Sequence, residues 1–341
     1  MTEMKPLGDV EKISGIAFGF MASKALFSAL HMKLFDVLAD GPRTAAQVAA
    51  ETSATEHGVE TLLTGLAGPG LVHKDGATYR NSEDADLYLV TTSKHYYGDY
   101  LTHQIDQQMY PFMGNLNLAL EGRTDEMEFE DYESWMGDKD HAELFSRSQH
   151  GGSLGPGKVV AKSYDLSSAR SLLDVGGGTG AFSIMMCRKW PELKATVLDF
   201  PNVAEVGQPY VDEAGLSDRI SYLPGNALKT AWPTGQDVVL MSYLFSGIPA
   251  DALETVVASA WDALEPGGRV IIHDFMVDDN RAGPPLAALW ALQHLVFTPG
   301  AASLTPGAIT DMLTAKGFTD VDERSMIPGM TRVVSGVKPK G

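Results

Sequence analysis

The run Asp174-Val-Gly-Gly-Gly-Thr-Gly180 has the residue types and spacing that bring a backbone close to a ligand. Gly176, Gly178 and Gly180 carry no Cβ, so the chain can turn sharply there and press against a bound molecule, which any side chain would obstruct. Such a loop fits a nucleotide-type cofactor. A second acidic position, Asp199, ends the apolar run Ala195-Thr-Val-Leu-Asp. A carboxylate in that place accepts hydrogen bonds from both hydroxyls of a ribose. Asp174 puts a further negative charge beside the loop, where it suits a cationic ligand group and would repel a pyrophosphate.

These residues need a scaffold that holds a loop between a strand and a helix. Residues 171–175 read as a short apolar strand and residues 181–190 as a helix. Strand signals recur at 195–198, 220–223, 237–241 and 270–274, with two more near Val321 and over 331–337; helical stretches separate the first five. This alternation predicts an α/β fold with a parallel sheet covered on both faces and ligands at the carboxyl ends of its strands. Upstream, a threonine-capped helix from Thr44, a helix over 56–66 and a hairpin over 71–81 turning at Asp75-Gly76 form a winged-helix pattern. The second of those helices has no lysine or arginine and the chain carries a formal charge of −18, so no nucleic-acid partner is expected.

Residues 16–38 are apolar around much of a helix and therefore need a second partner. Lys24, His31 and Lys33 interrupt that run, so no membrane span is expected. Residues 1–15 lack the apolar core of a secretory signal, and Cys187 is the single cysteine; both predict a reducing, cytoplasmic setting. None of the nine histidines pairs with a carboxylate at helical metal-site spacing, so no metal is expected. The domains read as 1–95, a helical connector 96–160 contributing to a substrate pocket, and 161–341.

The glycine loop, Asp199 and the turn Leu264-Glu-Pro-Gly-Gly-Arg269 together resemble the S-adenosylmethionine (SAM) dependent methyltransferases. Over nearly the whole chain the resemblance is to the small-molecule O-methyltransferases of the plant and antibiotic type. It implies a Rossmann-like seven-stranded sheet, mostly parallel with the last strand antiparallel. It also implies SAM as cofactor, a homodimer through the N-terminal winged-helix domain, and a small-molecule acceptor. By motif, Asp174, Gly176 and Gly178 would lie along the methionyl and ribose parts of SAM, with Asp199 on the ribose. Asn226 stands where relatives direct an aspartate at the adenine amine, Ala227 where they stack an aromatic ring, and Ser242 where many have lysine.

Relatives that methylate phenols carry Leu-His-Asp-Trp after the fourth strand, and that histidine removes the acceptor proton. Here the chain reads Tyr243-Leu-Phe-Ser, with Phe245 at the histidine position, so the resemblance supplies no general base. Tyr96, Tyr97, Arg147, Gln149, His150, Tyr243, Phe245, Trp290 and His294 are the acceptor-side candidates, with Arg147, Gln149, His150 and His294 as donors to a carboxylate. A thioether sulfur attacks a methyl group without losing a proton. The base-less pattern and the string Arg147-Ser-Gln-His150 resemble the bacterial S-methyltransferases of dimethylsulfoniopropionate synthesis, which act on 4-methylthio-2-hydroxybutyrate. Open alternatives are an O- or N-methyltransferase using His150 or His294 as base, a C-methyltransferase, and a catalytically silent SAM-binding regulator.

Overall fold

The side chain of Thr44 accepts the Gln47 N–H (3.3 Å) while the Gln47 amide oxygen accepts the Thr44 N–H (2.8 Å). This reciprocal cap satisfies two backbone donors and starts a helix at Ala45. The computed structural model describes residues 8–127, 132–298 and 300–341. Two compact units make up the chain, Met1–Gln108 and Met109–Gly341. The expected connector 96–160 forms no unit of its own and is shared between them.

The first unit runs α1 (Gly8–His31), α2 (Leu34–Ala39), β1 (Arg43–Thr44), α3 (Ala45–Glu51), α4 (Glu56–Ala67), β2 (Val72–Asp75), β3 (Thr78–Asn81) and α5 (Glu83–Tyr88). Its three strands are antiparallel in the order β1-β3-β2. Where the sequence predicts one helix through Leu38, the chain breaks at Lys33, whose φ of 54° is left-handed. The break lets Leu34, Phe35 and Leu38 turn into a core with Val48, Val59, Leu63 and Leu66. Most of α1 stays outside that core, with Ile13, Ile16, Phe18, Phe20 and Met21 exposed. Lys24 and His31 do not interrupt its apolar character: Val10–His31 is long and apolar enough, by length and composition, to cross a membrane, and 17% of its apolar window is buried. Both residues instead ion-pair with Asp106, His31 at 3.0 Å.

The second unit begins with α6 (Tyr110–Phe112), α7 (Leu116–Leu120), α8 (Tyr132–Gly137) and α9 (Lys139–Ser163). The α/β alternation follows as β4 (Ser171–Val175), α10 (Ala181–Lys189), β5 (Lys194–Asp199), α11 (Pro201–Glu213), β6 (Ile220–Pro224) and β7 (Gln236–Ser242). It closes with α12 (Leu253–Ala263), β8 (Leu264–Phe275), α13 (Pro285–Phe297), α14 (Pro306–Lys316), β9 (Thr319–Ile327) and β10 (Thr331–Val337). Seven strands pair in the order β6-β5-β4-β7-β8-β10-β9. β4 to β8 are parallel to one another, while β10 is antiparallel to both β8 and β9. Successive residues send their side chains to opposite faces, so Leu172 and Leu240 enter one core and Leu173 and Val239 the other. The chain begins in mid-sheet at β4, works outward to β6 and returns to β7. The strand order therefore reverses between β4 and β7, and a crevice opens there at the carboxyl ends.

Candidate active site

The glycine loop lies in that crevice. Gly176, Gly178 and Gly180 have φ values of 67°, 59° and 73°, so each needs the left-handed region that only glycine enters without strain. A Cβ placed on Gly178 would meet nothing within 4 Å, which marks open space over the loop. The loop is held from below by the Tyr222 hydroxyl, which donates to the Gly178 carbonyl at 3.2 Å. Tyr222 escaped the sequence reading; its place on β6, beside the crevice, was the available signal.

Asp199 accepts the Gly178 N–H at 2.7 Å with one oxygen and the Phe200 N–H at 2.7 Å with the other. A carboxylate has about four lone-pair sites, so acceptors remain for a ribose diol. Burial pushes Asp199 up to about 6, against the opposing pull of those two N–H donors. Asp174 supports the loop with one oxygen and leaves the other unpaired. It is fully buried beneath the loop, accepts the Ser183 hydroxyl at 2.6 Å, and is pushed up to about 6 by burial. Its second oxygen has no partner, a buried acceptor under the place where a cationic cofactor group would lie. Open loop, ribose carboxylate and orphaned acceptor together fit SAM, with Gly176, Gly178 and Asp199 as the residues that would hold it.

At the adenine end Asn226 has two protein partners. Its amide donates to Glu133 of α8 at 3.0 Å and its carbonyl accepts the Leu228 N–H at 2.8 Å, leaving one lone pair for an adenine amine. Ala227 brings no ring, but its carbonyl accepts the Trp232 indole N–H at 2.9 Å and draws an aromatic side chain to the same loop. Ser242 leaves the cofactor set. It is buried, and its hydroxyl is bonded to His273 Nδ1 at 2.8 Å, with His273 Nε2 bonded in turn to Thr331 at 3.0 Å.

Phe245 is corrected from the acceptor wall to the core, being wholly buried among Val239, Met241 and Ile272. Asp274 fixes the turn that carries it, accepting from the Ser246 N–H at 3.0 Å and the Ser246 hydroxyl at 2.7 Å. That carboxylate is thus used to tie down the turn. Just before it, Tyr243 holds a φ of 59°, an uncommon conformation for a tyrosine, fixed by its N–H to the His273 carbonyl at 2.8 Å. The half-buried ring of Tyr243 lies 5.2 Å from Phe275, and Phe275 stacks on Trp290 at 4.2 Å. His294 follows one helical turn later, 6.4 Å from Trp290. Together these rings form an aromatic wall at the strand ends.

Other acceptor candidates separate. Arg147 points to solvent in an i,i+4 pair with Glu143 at 3.0 Å and is removed from the carboxylate donors. Half-buried His150 is used to brace the cofactor loop, with Nδ1 2.7 Å from the Thr179 hydroxyl and its ring stacked 3.8 Å from Tyr210. Gln149, also half-buried, has no side-chain partner among the described residues. Tyr96 and Tyr97 belong to the first unit, and burial pushes both phenols up to about 12. Burial pushes His150 and His294 down to about 4 and His273 to about 3. No group of three or more metal-ligating side chains occurs among the described residues.

An O-methyltransferase domain model matches residues 123–319, and an O-methyltransferase dimerisation domain model matches residues 14–91. A 3-hydroxy-5-methyl-1-naphthoate 3-O-methyltransferase of Streptomyces sahachiroi is 32% identical over 96% of this chain and 94% of its own length. An L-tyrosine C(3)-methyltransferase of Streptomyces lavendulae is 27% identical over 95% of this chain and 91% of its own. The crystal structure of human N-acetylserotonin methyltransferase in complex with SAM has a TM-score of 0.87 and 25% identity, covering 100% of both chains. The chain belongs to the O-methyltransferase family, as a SAM-dependent small-molecule methyltransferase with an N-terminal dimerisation domain.

Proposed function

We propose that this chain methylates an acceptor atom with a lone pair and no proton to lose, the thioether sulfur of a small acid such as 4-methylthio-2-hydroxybutyrate. The product is the corresponding dimethylsulfonio acid. One observation carries the reading: among the described residues, neither the side chain at the usual base position nor either candidate histidine is poised to take a proton. Phe245 is sealed in the core, and His150 and His294, the two histidines that could replace a base, are held near 4 by burial. A base that weak at neutral pH cannot usefully deprotonate a phenol, whose pKa is about 10. Methylating a phenol without a base would forfeit roughly 10² to 10⁴ in rate.

SAM, when bound, supplies a methyl group that leaves its sulfonium carrier as the acceptor sulfur forms the new S–C bond and takes over the positive charge. The residues then have two tasks. The glycine loop and Asp199 fix the cofactor, so that alignment replaces proton transfer as the main source of rate. The faces of Tyr243, Phe275 and Trp290 offer the developing sulfonium a water-poor aromatic surface, each worth on the order of 0.5 to 2 kcal/mol.

The relatives favour a second reading, O-, N- or C-methylation of a secondary metabolite, because their names state oxygen and carbon acceptors. One assay separates the two. The protein is incubated with SAM and a panel comprising 4-methylthio-2-hydroxybutyrate, methionine, its keto acid, a catechol and an aromatic amine, and the products are weighed by mass spectrometry. A sulfonium from the hydroxy acid is expected; turnover of the catechol alone would discard the thioether reading.

A further inference from the structure

At the end of α13, Gln293, His294 and Thr298 are 6%, 9% and 7% exposed. The Gln293 carbonyl oxygen, both His294 ring nitrogens and the Thr298 hydroxyl have no hydrogen-bond partner among the described residues. Buried polar groups are nearly always paired, and leaving three adjacent side chains unpaired lowers stability unless something else pairs them. Their placement says what. Gln293 and His294 lie three and four residues beyond Trp290 and so flank it on two sides, and Thr298, at the helix cap, lies four residues beyond His294 on the same face. Trp290 ties them to the aromatic wall through its stack on Phe275 and the contact of Phe275 with Tyr243.

We propose that Gln293, His294 and Thr298 form a subsite that recognises the hydroxyl-bearing end of the acceptor and selects a 2-hydroxy acid over its hydroxyl-free analogue. This rests on the thioether reading above and deepens it. The unpaired set both donates and accepts: the glutamine oxygen needs a donor, the threonine hydroxyl gives and takes, and neutral histidine offers one N–H and one lone pair. A hydroxyl next to a carboxylate supplies both halves. With Arg147 turned to solvent and His150 committed to Thr179, this triplet takes over recognition of the acceptor's polar end.

The test uses the full chain with Thr298→Val and Gln293→Met, which keep shape while removing the unpaired polar atoms. Two binding and stability quantities are read, Tm without ligand and SAM Kd. Steady-state kinetics then give a Michaelis constant for the hydroxy acid, 4-methylthio-2-hydroxybutyrate, and another for its hydroxyl-free analogue, 4-methylthiobutyrate. Recognition predicts Tm unchanged or raised and SAM Kd unchanged. The KM for the hydroxy acid should rise about tenfold or more, and the preference for it over the hydroxyl-free analogue should collapse. A lowered Tm with the preference intact would assign the triplet a structural role and overturn the proposal. If the wild-type protein turns over the hydroxy acid and the variants keep its KM, the subsite alone is wrong. If the wild-type protein methylates neither thioether, the thioether reading falls and the subsite with it.

Discussion

Asp199 fixes the Gly178 N–H and keeps lone pairs that would accept from the ribose of a bound SAM. Asp199→Asn removes a charged acceptor worth about 1.5 to 3 kcal/mol, so SAM Kd should rise roughly 10- to 100-fold by calorimetry. Only the ionised side chain accepts from both ribose hydroxyls, and its pKa stands near 6. SAM affinity should therefore be level above about pH 7 and fall as the pH drops through 6, with proton uptake on release of SAM. Phe245→His puts an unpaired polar ring into a closed core. It should cost about 1 to 3 kcal/mol of stability in a denaturant melt and restore no phenol methylation. Single residues were legible where their type alone constrains them, as with the left-handed glycines and Asp199. They were not legible where the neighbours decide: Arg147 and Ser242 have polar side chains that suit a site, and only the partners Glu143 and His273 show that they are used elsewhere.

Among elements, the strand-loop-helix from β4 to α10 depends on supports from strands and helices that follow it. A Cβ on Gly207 of α11 would overlap the Tyr222 hydroxyl and lie 3.1 Å from the Thr179 Cα, so the helix reaches the loop through this glycine. Gly207→Ala should displace Tyr222 from the Gly178 carbonyl, weaken SAM binding severalfold and lower Tm, as calorimetry and thermal melts would record. Strands β4 and β10 follow the sequence expectation residue for residue, because β-rich apolar runs bounded by glycine and proline fix them locally. The break at Lys33 was not legible, since apolar periodicity continues through it and only the packing of Leu34 and Phe35 against the core demands the turn. The clamp of Ser246 on Asp274 was equally hidden: it joins residues far apart in sequence, and the altered motif disclosed a missing base without saying what replaced it.

For the whole molecule, the exposed apolar face of α1 and the dimerisation-domain match concern the same residues. Ile16→Asp with Phe20→Asp should convert a dimer into a monomer in sedimentation, since charge on that face opposes burial against a second copy. The parallel sheet and the cofactor could be read from the chain because pattern and motif repeat over many residues. The acceptor could not, because its pocket is assembled from side chains whose partners emerge only on folding. Whether methyl transfer here proceeds without a base is read from the pH dependence of kcat with saturating SAM and the thioether hydroxy acid. A level profile between about pH 7 and pH 9 is expected, since burial holds His150 and His294 near 4 and the acceptor loses no proton. A rate that climbs tenfold per pH unit to a plateau within that interval would reveal a working base and contradict that expectation.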